Sequence, residues 1–407
     1  MRLRPPGDGA AGWNAGAVPA LRDLVPTITG AAGTFAGSVL RERHPVIVEQ
    51  VRTAHPYAPE QLQRLEALVD EGRTGSIQPP SPDADAGRWP DAADWANWLE
   101  PYRGRSWFEV PFLVAENWFY RRLLDAVAFV EPGAWQGVDP FAPLKTRELA
   151  ALPPVPPVPP GRPDRDALLV ASVWGNAADL GFQLVARDAR RHEALLVDDS
   201  DVLWGVLDRG GLTVSWVCDN AGRELVADLL LVDRLLSDGL AATVRLHLKP
   251  RPYFVSDATV RDLADCLLVL AGAGAGEAVG RLRGAAADGR LAVEAAPFWC
   301  APLELRDAPP ALVAADLVVL KGDLNYRRLV GDAAWPASTS FADAVQLPGP
   351  VAVLRTLKSD VVVGADPATV AQLDAEAPGW RSEGSRALVQ VLVQARPAPG
   401  PGPRTGP

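Results

Sequence analysis

The sequence contains very little cysteine, and this scarcity excludes two common ways of stabilising a fold. Its three cysteines, Cys218, Cys266 and Cys300, are far apart in the chain and form no CxxC pair. Disulfide frameworks and structural zinc sites both need cysteines in closely spaced groups. We therefore expect neither of them, and the low cysteine content favours a reducing, cytoplasmic location.

Excess positive charge and long apolar runs are also lacking. The net charge is -10 and the pI is about 5.1. A nucleic-acid or membrane-surface partner would need a basic stripe to face its phosphates, so we expect neither partner. Arg2 and Arg4 are followed by Pro5 and Pro6 instead of the apolar stretch of a secretory leader. No unbroken apolar run is long enough to predict a membrane span. The oligomeric state cannot be predicted from the sequence.

Lysine is rare as well, since only four of the 40 basic residues are lysines. An ammonium and a guanidinium differ in size, hydration and geometry, so a lysine in an arginine-rich chain is less interchangeable than usual. Two of the four, Lys321 and Lys358, lie in the polar motifs KGDLN and RTLK. Lys145 and Lys249 lie in no such motif, and we interpret them as ordinary lysines. Chance placement is the alternative for all four.

The 407 residues, 48% of them hydrophobic, are enough for two domains or for one large domain with an extension. Residues 58–71 and 111–130 have apolar side chains at helical spacing, and residues 78–94 have the composition of a loop. A proline-rich run, PPVPPVPPGRP, is typical of a connector, and the composition of the C-terminal tail is typical of disorder. We predict a helical N-terminal domain at 1–152, a connector at 153–163, an α/β domain at 164–395 and a disordered tail at 396–407.

Strand and helix patterns alternate after the connector. The strand patterns cover residues 214–218, 243–248, 317–320 and 351–354, and the helix patterns cover residues 221–237 and 259–270. This alternation predicts an α/β fold, a three-layer αβα Rossmann-like domain with a mainly parallel sheet. In such sheets, ligands bind at the carboxyl ends of the strands.

Polar motifs stand at those predicted strand ends. Asp219 and Asn220 end the apolar run VSWVCDNAG, Asp257 lies just beyond the second strand, and KGDLN and RTLK follow the other two. Carboxylate and amide oxygens are typical ligands of hard cations, so an oxygen-only site favours Mg2+ or Mn2+.

Each motif also has a structural alternative. Asn220 and Asp257 are residue types that cap helices, and Asp323 with Asn325 could make a turn. Arg355 could bind phosphate or pair with a buried carboxylate. The roles of Glu116 and Asn176 stay open, with a structural role favoured for Asn176.

Long motifs along the chain resemble one known family. They are WFEVPFLVAENWFYRR, SVWGNAADL, LLVDD, CDNAGRELVADLLLVD, VSDATVRDL, ADLVVLKGDLNYRRLVGD and LRTLKSDVVVG. Together they resemble the damage-control metal-dependent phosphatases, in the branch that carries an RTxK motif and whose animal member was also described as an acidic-residue protein methyltransferase. The resemblance covers most of residues 107–364 and weakens outside them.

The resemblance implies a role for each matching residue. Asp219, Asn220 and Asp257 would bind a divalent metal and form the catalytic centre, with Mn2+ as the expected ion and Ni2+, Co2+ or Mg2+ as alternatives. The phosphorylated substrate would contact Asp219 and Asn220 and a further set of residues, Lys321, Gly322, Asp323, Leu324, Asn325 and Lys358. The sequence leaves Asp323 open between recognising a substrate hydroxyl and transferring a proton.

The function expected from these residues is hydrolysis of small phosphorylated metabolites, such as the sugar phosphate fructose 1-phosphate, in metabolite damage control. An S-adenosylmethionine-dependent protein-glutamate O-methyltransferase is the alternative, which rests only on the description of the family's animal member. AGAGAG at residues 271–276 superficially resembles a glycine-rich loop. That run lacks the GxGxxG spacing and continues a helix pattern, so we interpret it as a flexible linker. A sugar-phosphate sensor without catalysis is the third possibility.

Overall fold

A central seven-stranded sheet organises the protein. The computed structural model describes residues 21–81, 88–152, 162–175 and 194–393. The sheet has the order β1-β7-β6-β5-β2-β3-β4. Its strands are β1 (Leu195–Asp198), β2 (Leu212–Val217), β3 (Ala241–His247), β4 (Leu291–Glu294), β5 (Leu317–Lys321), β6 (Val351–Thr356) and β7 (Ala387–Leu392).

Five neighbouring strands, from β6 to β4, run parallel to one another. β7 pairs antiparallel with β6, and β1 runs parallel to β7. The chain proceeds from β2 outward through β3 to β4, and later from β5 outward through β6 in the opposite direction. The strand order therefore reverses between β2 and β5, which is where open α/β sheets usually bind their ligands.

The helices before the sheet are α1 (Phe35–Ser38), α2 (His44–Ala54), α3 (Pro59–Thr74), α4 (Ala92–Leu99), α5 (Phe112–Ala126), α6 (Ala142–Ala150) and α7 (Arg162–Trp174). The helices that follow β1 in the chain are α8 (Ser200–Leu207), α9 (Arg223–Ser237), α10 (Val260–Leu270), α11 (Gly276–Ala287), α12 (Pro310–Val313), α13 (Gly322–Val330), α14 (Phe341–Ala344) and α15 (Pro367–Glu376). A π-helical turn joins α1 to α2.

Alternation along the strands places an apolar core on each face of the sheet. In β5, Leu317 and Val319 pack with α7, α9, α10 and α11, whereas Val318 and Leu320 pack with α13 and α14 on the opposite face. Successive side chains of a strand point to opposite faces, so a strand buried on both sides must be apolar throughout. A separate core joins helices α1 to α5 and also includes Tyr253 and Cys300.

The predicted fold class, a three-layer α/β structure with a mainly parallel sheet, is confirmed. The four predicted strands correspond to β2, β3, β5 and β6, with bounds that differ by two residues or fewer. The short edge strands β1 and β4 and the antiparallel β7 were not predicted. The division into domains stays a prediction. The predicted connector up to residue 161 and the predicted tail lie outside the described residues, and so does Asn176.

Two local predictions were wrong. The predicted loop at 78–94 ends early because α4 begins at Ala92 and buries Ala92 and Trp95. The run 271–276 is no linker, since it forms a π-helical turn that joins α10 to α11, with a kink at Gly274, whose φ is 104°. It also follows a helix instead of a strand, so it lacks the strand–loop–helix setting of a nucleotide-binding glycine loop.

By length and composition alone, the combined helix Val260–Ala287 could cross a membrane. In the structure, 28% of its most apolar window is buried. In the structure Cys266, Leu270, Val279 and Leu282 of this helix pack into the core against α9. Core helices of this composition pass the same length test, so it is weak support for a membrane span.

Candidate active site

The predicted site residues lie at the carboxyl ends of β2 and β5, where the strand order reverses. Asp219 follows the end of β2 by two residues, and Lys321 is the last residue of β5. The two strands are direct neighbours in the sheet, paired from Val214 to Val217. Parallel pairing thus brings residues about a hundred positions apart to the same edge.

The three predicted metal ligands lie on two adjoining segments. Asn220 and Asp257 form an antiparallel bridge, and the Ala258 amide donates to the Asp219 carbonyl at 2.8 Å. Asn220 Nδ2 donates to Asp219 Oδ2 at 2.7 Å, and its Oδ1 accepts from the Ser256 hydroxyl. The structure therefore brings Asp219, Asn220 and Asp257 together.

Helix capping does not explain this pair of motifs. The N-cap of α9 is Gly222, so Asn220 is not its cap. The N-cap of α10 is Thr259, which forms a capping box with Asp262, so Asp257 is free of that role too. The structural alternative for both residues is therefore wrong.

The carboxylates at this edge are crowded and poorly compensated. Burial, followed by the nearby carboxylates of Glu224 and Asp257, raises the pKa of Asp219 well above its usual value. Burial also raises the pKa of Asp257, although Lys249 opposes the change. Asp257 Oδ2 has no hydrogen-bond partner among the described residues. A cation would relieve both conditions, because it would pair the unsatisfied oxygen and stabilise the charged forms.

These donors fit a hard divalent cation. Within the described ranges, no three His, Cys, Asp or Glu side chains are grouped so as to hold a metal ion by themselves. The set consists instead of two carboxylates and one amide, which leaves positions for water or substrate oxygen. The all-oxygen chemistry of the set is the kind that Mg2+ and Mn2+ prefer.

Gly322 places the start of α13 directly against Asp219. Its φ is +78°, a conformation that favours glycine, and a Cβ at this position would lie 1.9 Å from Asp219 Oδ2. The N-cap residue, Lys321, makes no side-chain capping bond. The first amides of α13 therefore face the carboxylate edge without a side-chain cap, as in helix termini that bind anions.

The start of α9 has a different environment. The amide of Arg223 donates to Glu148 Oε1 at 3.3 Å. A Cβ on Gly222 would lie only 2.7 Å from Glu148 Oε1. The positive end of α9 therefore faces the Glu148 carboxylate.

Asp323 is an ionised acceptor held by Arg355. Arg355 Nε and Nη2 donate to Asp323 Oδ1 at 2.9 and 2.6 Å, and the Lys358 amide donates to the same oxygen at 3.1 Å. Burial opposes ionisation, but Arg355 and Arg327 together hold the pKa of Asp323 below its usual value. A carboxyl of this kind suits hydroxyl recognition better than proton donation.

Arg355 is the structural partner of a buried carboxylate. It is fully buried, and its Nη1 donates to the Val361 carbonyl and its Nη2 to Ser359 Oγ at 3.0 Å. The guanidinium also stacks over Tyr326, 4.2 Å from the ring centroid. These contacts use the donors that a phosphate would need.

Lys321 points into the protein. Its ammonium lies 3.0 Å from Asp228 Oδ1 and 3.4 Å from Glu224 Oε1, and it donates to the Ser172 carbonyl and hydroxyl. The side chain is fully buried. A direct contact of Lys321 with substrate stays a prediction, since in this structure its ammonium binds carboxylates.

The side chains of Asn325 and Leu324 are buried next to the strand ends. Asn325 is fully buried, and its Nδ2 donates to the Lys321 carbonyl at 2.8 Å and to the Cys218 carbonyl at 3.4 Å. It therefore holds the ends of β2 and β5 together. The Leu324 side chain is buried, so only its main chain is placed to meet a ligand.

Lys358 is the predicted cation best placed for a phosphate. It is half-buried, and its ammonium makes no ion pair or hydrogen bond that the described part of the chain shows. Burial raises the pKa values of Asp219 and Glu148, and the charge of Lys358 partly opposes both increases, so the ammonium lies near both carboxyl groups.

Several residues at the site were missed by the sequence analysis. Glu224 accepts from Asn220 Nδ2 at 2.9 Å, Ser256 binds the Asn220 oxygen, and Lys249 lies 3.3 Å from Asp257 Oδ2. Asn220 precedes the N-cap of α9, so helical spacing did not indicate its contact with Glu224. No sequence signal indicated that Lys249 lies beside Asp257.

Two further residues have structural roles: Glu116, whose role the sequence left open, and Cys218, which ends the strand pattern 214–218. Glu116 accepts from Arg327 Nη1 at 2.7 Å, and this contact joins α5 to α13. Burial raises the pKa of Cys218 well above its usual value, so this thiol is a core group without nucleophilic character.

A family model and similar known proteins point to the same family. The sequence model of the damage-control phosphatase ARMT1-like domain matches residues 39–373. Damage-control phosphatase ARMT1 of Danio rerio is 32% identical over 334 residues, which are 70% of this chain and 74% of that protein. The protein of the same name from Rattus norvegicus is 28% identical over 425 residues, and the match covers 88% of this chain and 96% of that protein.

A solved structure is also similar, that of a DUF89 family protein from Pyrococcus horikoshii. It matches 81% of this chain and 95% of its own, with a TM-score of 0.44 and 15% sequence identity.

Proposed function

The chain belongs to the ARMT1-like family of damage-control phosphatases, and on that premise we propose that it hydrolyses small sugar phosphates at the edge between β2 and β5. Fructose 1-phosphate is the substrate we would test first. Mn2+ is the proposed metal, with Ni2+, Co2+ and Mg2+ as alternatives. A cytoplasmic location is part of the proposal and is supported by three buried cysteines that form no disulfide.

The observation that carries the proposal is the grouping of Asp219, Asn220 and Asp257 beside an uncapped helix start. These oxygens would hold the metal, which would supply an activated water and withdraw charge from the phosphoryl group. The amides of Gly322 and Asp323 at the start of α13 would donate to the phosphate oxygens.

Lys358 would neutralise phosphate charge from the more exposed side of the site. Its main-chain amide is held on Asp323, which in turn is held by Arg355, so the backbone that carries the lysine is fixed before substrate binds. Preorganised charge of this kind is the main source of catalysis in phosphoryl transfer.

Asp323 would accept a hydrogen bond from a hydroxyl of the sugar. Its lowered pKa keeps it ionised at neutral pH, and an ionised carboxylate accepts but does not donate. Sugar phosphates offer such hydroxyls close to the phosphate. The substrate class is therefore proposed from an anion site and a hydroxyl acceptor that lie next to each other.

The test is phosphate release by metal-stripped protein from a panel of sugar phosphates, with Mn2+, Ni2+, Co2+ or Mg2+ added back. We expect activity that depends on metal, that favours sugar phosphates over a phosphate ester without hydroxyls, and that Asp219→Ala and Asp257→Ala abolish. Arg281→Ala serves as a control, because its ion pair with Asp233 lies on the surface away from the strand ends.

Two outcomes would contradict the proposal. Methyl transfer from labelled S-adenosylmethionine without phosphate release would indicate the methyltransferase instead. Binding of sugar phosphate without turnover, in the presence of every metal, would indicate a sensor.

A further inference from the structure

Lys249 lies beneath the predicted metal ligands. It follows β3, and its amide donates to the Ala258 carbonyl at 2.9 Å, which fixes it beside the segment that carries Asp257. Its ammonium lies 3.3 Å from Asp257 Oδ2, and both side chains are almost fully buried. The ring of Trp299 lies 5.7 Å away.

The contact of Lys249 with Asp257 is one of charge without a hydrogen bond. Within the described residues, neither Lys249 Nζ nor Asp257 Oδ2 has a hydrogen-bond partner. A buried ammonium and a buried carboxylate oxygen in this state stabilise each other only through their opposite charges.

The surrounding cluster holds more carboxylates than ammonium groups. Four buried carboxylates, Asp219, Glu224, Asp228 and Asp257, surround two fully buried ammonium groups, those of Lys249 and Lys321. When all four carboxylates are ionised, two negative charges are left over. A divalent cation would cancel them, and a buried site is most stable when its charges cancel.

We propose that Lys249 is a resident counter-ion of the metal site, which stabilises the metal-free protein by compensating Asp257 and limits the affinity for a divalent cation. The inference rests on the metal site of the proposed function, and it goes further by assigning a role to a lysine that is almost fully buried. The same ammonium that stabilises Asp257 when the metal is absent repels a cation bound to that carboxylate.

The experiment compares the wild-type protein with Lys249→Met, which keeps the apolar stem but removes the charge. Melting temperatures would be measured in a chelator and at saturating Mn2+, and the Mn2+ dissociation constant by titration calorimetry. We expect the variant to lose more stability without metal than with it, so its gain on adding Mn2+ exceeds that of the wild type. We expect Mn2+ to bind the variant about tenfold more tightly or more.

Lys145→Met is the matched control. Lys145 is equally buried, but its ammonium is hydrogen-bonded to Asp139, to Asp262 and to the Asp257 carbonyl, and not to the Asp257 carboxylate. We expect this variant to show a smaller difference between its stability losses with and without Mn2+ than Lys249→Met shows, because its ammonium makes no contact with the Asp257 carboxylate. Equal losses with and without Mn2+ for Lys249→Met, with unchanged Mn2+ affinity, would overturn the inference.

A second variant covers the case in which Lys249→Met does not fold without metal. The double variant Lys249→Met with Asp257→Asn removes both charges, so we expect it to be more stable in chelator than Lys249→Met alone. A double variant no more stable than the single one would refute the role of charge. A wild-type protein that gains no stability from any divalent cation would instead refute the metal site, and with it the proposed function.

Discussion

Replacing Gly322 by alanine would test whether the start of α13 is built around the Asp219 carboxylate. The added Cβ would lie 1.9 Å from Asp219 Oδ2 and 2.1 Å from its Cγ. Atoms in favourable contact are about 3.5 Å apart, so the carboxylate would have to move by more than about 1 Å. A displacement of that size in a catalytic group can cost about 100-fold in rate.

The same substitution also carries a backbone cost, which must be separated from the clash. Gly322 has φ +78°, and an alanine in this region costs about 1–2 kcal/mol. Gly289 has φ +74° with nothing within 4 Å of the position of its Cβ. Gly289→Ala therefore carries the backbone cost alone.

The assay is metal-dependent phosphate release from a sugar phosphate, measured beside thermal unfolding for both variants. We expect Gly289→Ala to lose about 1–2 kcal/mol of stability, and Gly322→Ala to lose more, because its Cβ also clashes with Asp219. Only Gly322→Ala should lose about 100-fold or more in kcat/KM together with its affinity for Mn2+. If Gly322→Ala keeps kcat/KM within about threefold of Gly289→Ala, the placement of Asp219 against α13 does not matter for activity, and our account of the site is refuted.

Three further predictions concern single side chains. Lys358→Met should lower kcat/KM by about 100- to 1000-fold. It should leave the melting temperature unchanged, because the Lys358 ammonium makes no contact that stabilises the described fold. A large loss of stability in this variant would contradict the prediction. Asp323→Asn should cost about 3–5 kcal/mol in chemical unfolding, because it leaves the buried Arg355 without its carboxylate. The depressed pKa of Asp323 means that the wild-type pair is complete above about pH 4 and is lost below it, so the variant should also show less acid dependence. Burial lowers the pKa of His247 to about 4. Unfolding therefore takes up a proton as the pH falls from about 6.5 toward 4, and stability falls with it. His247→Leu should reduce this slope between pH 7 and pH 5, and an unchanged slope would show that other groups cause it.

The central strands were predictable because their pattern is local. β2, β3, β5 and β6 are apolar runs that end in polar residues, and burial on both faces demands such runs. The edge strands β1 and β4 have only four residues each and are half-exposed, so their sequences carry little of this pattern. The glycines of the run 271–276 are typical of a loop, whereas tertiary packing keeps this run helical up to the kink at Gly274.

The sequence by itself determined which chemistry the site could carry. Asp219, Asn220, Asp257 and Lys358 stand at strand ends in long motifs, and hard oxygen ligands with a lysine suit a metal and a phosphate. These are properties of residue types and of their order along the chain, so they can be predicted without coordinates.

Only the tertiary structure decided what each charged group faces. Lys321 turns inward to Asp228, Lys249 lies beneath Asp257, and Arg355 pairs with Asp323. The first and the last of these contacts join segments that the sheet order makes neighbours, whereas Lys249 and Asp257 meet within the connection that follows β3. Because the energy of a buried charge depends on its distance to other charges, the roles of these lysines and arginines could be assigned only from their three-dimensional positions.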